Sequence, residues 1–119
     1  MVKAKSFKDL VVWQKAHEFV IKIYKITKLF PSEERFGLIS QMRRSAVSIP
    51  ANVAEGFVKR GIKDKNNFYN IAQGSLAELR YYLILSKDIG YLRENKELLL
   101  EADSIGRLLN RLWSSLKSL

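Results

Sequence analysis

The chain has 119 residues, a hydrophobic fraction of 47% and a formal net charge of +9. That length fits one domain with a single modest core, and that apolar content excludes a disordered chain. No cysteine is present, which excludes disulfides, thiolate catalysis and cysteine-based zinc sites.

The opening stretch MVKAKSFKDLVV has neither an apolar h-region nor a cleavage signature. Secretion is therefore not expected. No apolar run is long enough to span a bilayer, so a cytoplasmic protein without a membrane partner is expected.

Helical periodicity begins at about Asp9, a candidate N-cap, and runs to about Phe30. Val12, Trp13, Ala16, Phe19, Val20, Ile23, Tyr24 and Phe30 fall on one apolar face. Lys8, Lys15, Lys22 and Lys25 fall opposite. In FPSEERFG, Pro31 stops this helix, and Ser32 with Glu33 and Glu34 opens the next with acids in its first turn.

The second helix is expected from about Glu33 to Val58. Phe36, Ile39, Met42, Ala46, Ile49, Val53 and Phe57 keep a spacing of three or four straight through Pro50. The pattern does not restart there, so a kinked but continuous helix is predicted. A proline inside a helix costs roughly 3 kcal/mol, so neighbouring helices must hold the bend. The small residues Ala46, Ser48, Ala51, Ala54 and Gly56 let another backbone come close. Asn52 is placed to cap a carbonyl freed by the proline.

VKRGIKDKNN is a basic turn around Gly61, followed by a third helix from about Asp64 to Ile89. Phe68, Ala72, Ser75, Leu76, Leu79, Leu83 and Ser86 form its core stripe. YYLIL, residues 81–85, is apolar on every side, which a surface helix of a monomer should not be. Either the helix is buried centrally, or Tyr81, Ile84 and Leu85 form a second face. Every helix of a four-helix bundle has an outer side, so a subunit interface is the reading adopted. Gly90 suits the residue after the helix end. The last helix is expected from about Glu94 to Leu116, with Leu98, Ala102, Ile105, Leu108, Leu109, Leu112 and Leu116 as its seam.

Four helices of this length with short connections predict an all-α, antiparallel up-down-up-down bundle spanning residues 1–119 as one domain. No repeat, low-complexity segment or linker interrupts it.

Catalytic chemistry finds little support. His17 has only Glu18 beside it, and adjacent helical residues point about 100° apart, so a metal site is not expected. Glu55, Glu78 and Asp88 are candidates for partly buried acids, but no Glu-x-x-His motif accompanies them. Glu55 and Glu78 are expected to pair with arginines such as Arg43 or Arg80. GFVKRG and QGSLAE lack phosphate-loop and dinucleotide spacing. Neither enzymatic activity nor a cofactor is expected.

The charge carries more. Residues 1–60 hold 12 Lys and Arg against 5 Asp and Glu, and the remainder holds 9 against 7. Such an excess favours a polyanionic partner, with solubility as the alternative. The candidate nucleic-acid contacts are Lys15, Lys22 and Lys25 on the first helix, Arg43 and Arg44 before the proline, and Lys59, Arg60, Lys63 and Lys65 around the basic turn. For the arginine pair, structural and binding roles stand equal. RNA is favoured over DNA. A protein-interaction scaffold remains the alternative.

FKDLVVWQKA, QMRRSAVSIPANVAEGF, FYNIAQGSLAEL and DIGYL together resemble a four-helix-bundle family encoded within intervening sequences of bacterial large-subunit ribosomal RNA genes. The family is often labelled a ribosomal protein. The chain is similar also to the accessory variability determinant of diversity-generating retroelements. The match runs from about Phe7 to Tyr91 and, by pattern, through the last helix. Arg43, Arg44, Ser48, Pro50, Asn52, Glu55 and Gly56 fit the second-helix motif, and Gly74, Ser75, Glu78 and Leu79 fit the third. The resemblance implies an up-down bundle assembled into a ring-like homopentamer. For the retroelement relatives it implies nucleic-acid binding by a basic surface and contact with a reverse transcriptase. It transfers no catalytic residue.

Overall fold

The computed structural model describes residues 3–117. It contains four helices: α1 (Val11–Thr27), α2 (Leu38–Val58), α3 (Ile62–Asp88) and α4 (Lys96–Lys117). They pack as the expected four-helix bundle, with no strand among the described residues. Short 3-10 turns at Phe7–Asp9 and Ser32–Glu34 precede α1 and α2. No helix among the described residues is long and apolar enough to cross a membrane.

The helix starts differ from the sequence expectation for a local reason. Asp9 does not cap α1. Its carboxylate turns back to accept from the backbone N–H groups of Lys5 and Ser6, while the Ser6 hydroxyl accepts from Lys8 N. That reciprocal box closes a 3-10 turn, and α1 begins two residues later. Similarly, Glu34 does not sit inside α2. Its Oε1 accepts from Leu38 N at 3.2 Å and so caps the helix from outside. Gly37 lies between the turn and the helix with φ −108° and ψ −111°. A Cβ there would stand 2.8 Å from Glu34 Oε1. The expected helix from Glu33 is therefore broken at residues 35–37. Phe36, expected in the core, lies in that break and is 89% exposed.

Helix α2 continues through a buried Pro50 to Val58. Asn52 does not reach the Ala46 carbonyl that the proline leaves without its N–H. It donates instead to the Ser48 carbonyl at 2.7 Å and the Ser48 hydroxyl at 2.9 Å. The Ser75 hydroxyl on α3 donates to the same Ser48 hydroxyl at 2.7 Å. The two sequence motifs thus meet across the α2–α3 pair.

The core is made by Phe19 and Ile23 of α1, Met42, Ile49 and Val53 of α2, Leu79 and Leu83 of α3, and Ile105 and Leu109 of α4. Burying each large aliphatic or aromatic side chain stabilises the fold by about 1.5–3 kcal/mol before entropy opposes it. Two buried hydroxyls find helical carbonyls: Thr27 donates to Ile23 O, and Ser86 donates to Tyr82 O.

The connections fix which ends meet. Helix α3 closes as a Schellman motif. Gly90 takes φ +86°, its N–H reaches Lys87 O, and the Tyr91 N–H reaches Ser86 O. Tyr91 then packs on Phe30 and donates to Glu34 Oε2 at 2.8 Å. The α1–α2 and α3–α4 connections therefore share one end of the bundle. At the opposite end Phe7 and Trp13 line one cleft with Pro50 and Ala54, and Trp113 lines another with Tyr69. That end holds the described start of the chain, the α2–α3 turn and the C-terminal turns of α4.

Candidate nucleic-acid interface

The α2–α3 turn is tight because of Gly56. A Cβ at this position would lie 2.5 Å from Tyr69 Cε1 and 3.2 Å from Phe68 Cβ. The absent side chain lets α3 pack directly on α2. This sets where the basic turn projects.

The four cations of that turn do different work. Lys65 donates to Phe57 O at 2.7 Å and to Gly56 O at 3.2 Å. It thereby satisfies carbonyls at the end of α2, where the helix dipole favours a cation. Burial holds its ammonium below the usual lysine range. Lys59 places its ammonium 5.2 Å from the centre of the Phe68 ring, a cation–π separation. Arg60 and Lys63 are exposed and make no ion pair among the described residues. They are the free charges of the turn.

The lysine stripe on α1 is partly neutralised. Lys15 lies 4.0 Å from Glu18, one turn on. Lys22 pairs with Glu101 of α4, and that hydrogen bond raises its pKa. Such exposed pairs add little stability, yet they lower the field the stripe presents. Lys25 is exposed without an ion pair among the described residues.

The arginine pair separates into two roles. Arg43 Nε donates to Thr27 Oγ1 at 2.9 Å, its Nη2 reaches Tyr24 O at 3.3 Å, and its guanidinium lies 4.5 Å from the Tyr24 ring centre. It ties the last turn of α1 to α2. Arg44, one residue on, is exposed. The acids expected to pair with arginines go elsewhere. Glu78 accepts from the Tyr82 hydroxyl at 2.8 Å, and Glu55 is exposed. Arg80 Nε lies 3.2 Å from Asp103 Oδ1, an ion-pair distance at which its N–H is not aimed at the oxygen.

Topology brings together what sequence order keeps apart. Segments 3–9 and 59–65 lie at the same end of the bundle. They carry Lys3, Lys5, Lys8, Lys59, Arg60, Lys63 and Lys65 against Asp9 and Asp64. The Asp9 carboxylate is already engaged by two backbone N–H groups. The other end, built from residues 28–37 and 87–97, mixes both signs. Sequence reasoning does not select Lys3 and Lys5, because their placement at the same end as the turn follows only from the antiparallel arrangement.

The apolar second face of α3 is present in part. Tyr81 is 57% and Ile84 42% exposed. Leu85 packs at the edge of the core. His17 stacks on Trp13 with ring centres 5.0 Å apart. Among the described residues no group of three or more metal-ligating side chains converges.

Comparison with known proteins agrees with this architecture. Among solved structures the chain is similar to a protein of unknown function from the S23 ribosomal protein family of Bacteroides thetaiotaomicron. The identity is 29% and the TM-score 0.81, over 90% of this chain and 98% of that one. No curated protein matches the sequence. The family model described as 23S rRNA-intervening sequence protein matches residues 8–111. The chain belongs to the 23S rRNA-intervening sequence protein family.

Proposed function

We propose that this chain is a non-enzymatic, homo-oligomeric helical bundle that binds RNA through its basic end. The observation that carries the reading is the placement of segments 3–9 and 59–65 at one end of the bundle, with cations that outnumber their two aspartates. A phosphate backbone approaching that end meets Arg60 and Lys63 free of acidic partners. It would displace counterions as it binds, which makes the interaction salt-dependent and weakly sequence-specific. The exposed Tyr81 and Ile84 support self-association through α3, and a ring-like homopentamer is the form the resemblance implies.

The test is charge reversal at the turn. The variant Lys59→Glu/Arg60→Glu/Lys63→Glu touches no buried hydrogen bond, so it should fold and lose RNA affinity. Retained affinity would remove the turn from the interface. A protein-binding scaffold is the second reading, favoured by the apolar cleft between Phe7, Trp13, Val20, Pro50 and Ala54. Binding in such a cleft would respond little to salt.

A further inference from the structure

Away from the basic end lies a groove of about 670 Å³ that the preceding reading does not use. It runs along the outer side of α2 beside the end of α1. Its lining includes Arg35, Arg44, Phe36, Tyr24, Ser40 and Val47. Three arginines line it, counting Arg43, and no carboxylate does. Arg43 is held by Thr27 and Tyr24. The Arg35 and Arg44 side chains make no ion pair or hydrogen bond among the described residues, so no carboxylate offsets their charge at the groove.

Phe36 is the most informative member. It is 89% exposed at the break before α2, although its ring has no role in the core. An almost fully exposed phenylalanine beside two unpaired guanidinium groups is poorly explained by stability. It matches what unpaired nucleotides require: an aromatic face for a base and cations spaced along the phosphates. The interior bases of a duplex are stacked on both faces and offer none to such a ring, and a basic peptide would be repelled. An acidic peptide would satisfy the arginines but has no particular use for an exposed flat ring.

We propose that this groove binds an unpaired RNA segment, with a base stacked on Phe36 and flanking phosphates on Arg35 and Arg44. The inference rests on the reading of the chain as RNA-binding and assigns single-stranded segments to a surface separate from the basic end.

The test uses the full chain and fluorescence anisotropy with two probes, a labelled oligouridylate and a blunt RNA duplex. Phe36→Ala should weaken oligouridylate binding about tenfold and leave duplex binding and oligomer mass unchanged. Phe36→Trp should retain or improve it. Arg35→Gln/Arg44→Gln should weaken the same probe and flatten its salt dependence. Unchanged oligouridylate affinity in Phe36→Ala overturns this inference. If the charge-reversed turn still loses RNA in that case, the proposed function stands without it. A drop in oligomer mass for Phe36→Ala also overturns it, since the ring then belongs to a subunit contact. Failure of the unaltered chain to bind either probe removes both readings.

Discussion

Arg43 Nε donates to the buried hydroxyl of Thr27 at 2.9 Å, across the α1–α2 contact. Thr27 in turn donates to Ile23 O, so the guanidinium completes a small network closing the last turn of α1. Removing a charged donor from such a site costs about 1.5–3 kcal/mol. Arg43→Ala should lower the stability measured by urea unfolding by that amount. Arg44→Ala should change it by less than about 0.5 kcal/mol, yet weaken RNA binding. Equal effects of the two would contradict the division of roles.

Gly56 and Gly74 make a matched pair. Alanine at position 56 would drive a Cβ into the Tyr69 ring, whereas at position 74 nothing lies within 4 Å. Gly56→Ala should destabilise by about 1–3 kcal/mol through overpacking. Gly74→Ala should stabilise by about 0.5–1 kcal/mol through helix propensity. Urea unfolding of both variants checks this, and a stabilised Gly56→Ala would refute the tight α2–α3 approach.

Lys65 spends its charge on the carbonyls of Gly56 and Phe57. Lys65→Met keeps the stem and removes the donors, so it should destabilise by about 1–3 kcal/mol. Lys63→Met should leave stability unchanged while lowering RNA affinity. Chemical unfolding and RNA anisotropy on the two variants separate a cap from a contact.

Stability should be flat near neutrality and fall at both extremes of pH. Hydrogen bonds from Tyr82 to Glu78 and from Tyr91 to Glu34 raise those hydroxyls, and burial raises Tyr69. Raised groups contribute stability that is complete below the ordinary tyrosine value of about 10 and lost as pH climbs through the folded-state value. Lys65, lowered by burial, opposes that alkaline fall. Glu94 works on the acid side. Its carboxyl is held low by the backbone N–H groups of Lys96 and Asn95, so its contribution is present above about pH 4.3 and lost below. Thermal midpoints across pH should show this plateau, and Tyr91→Phe should shrink the alkaline fall. An unchanged alkaline limb in that variant would remove Tyr91 from the account.

The helices and core were legible because periodicity reports burial directly. Ala72, Leu76, Leu79 and Leu83 sit on α3 as their spacing requires, and Gly90 takes the positive φ expected of a helix-ending glycine. The start of α2 was not legible. Ser32, Glu33 and Glu34 look like a helical first turn, but the Glu34 side chain caps Leu38 from outside and leaves Phe36 in solvent. The basic candidates were visible as residue types, but their partners were not. Pairing of Lys22 with Glu101 spans 79 positions, and the seating of Lys65 on the α2 carbonyls depends on the Gly56 turn geometry. That Lys3 and Lys5 lie at the same end of the bundle as Arg60 follows from topology alone.

The central claim is that the basic end of an oligomeric bundle binds RNA through phosphates. Light-scattering mass, measured with and without a structured RNA at about 50 and 200 mM salt, tests it most directly. The account predicts an oligomer that gains the mass of RNA at low salt and releases it at high salt. A monomer, or an oligomer whose mass ignores RNA at low salt, would contradict it.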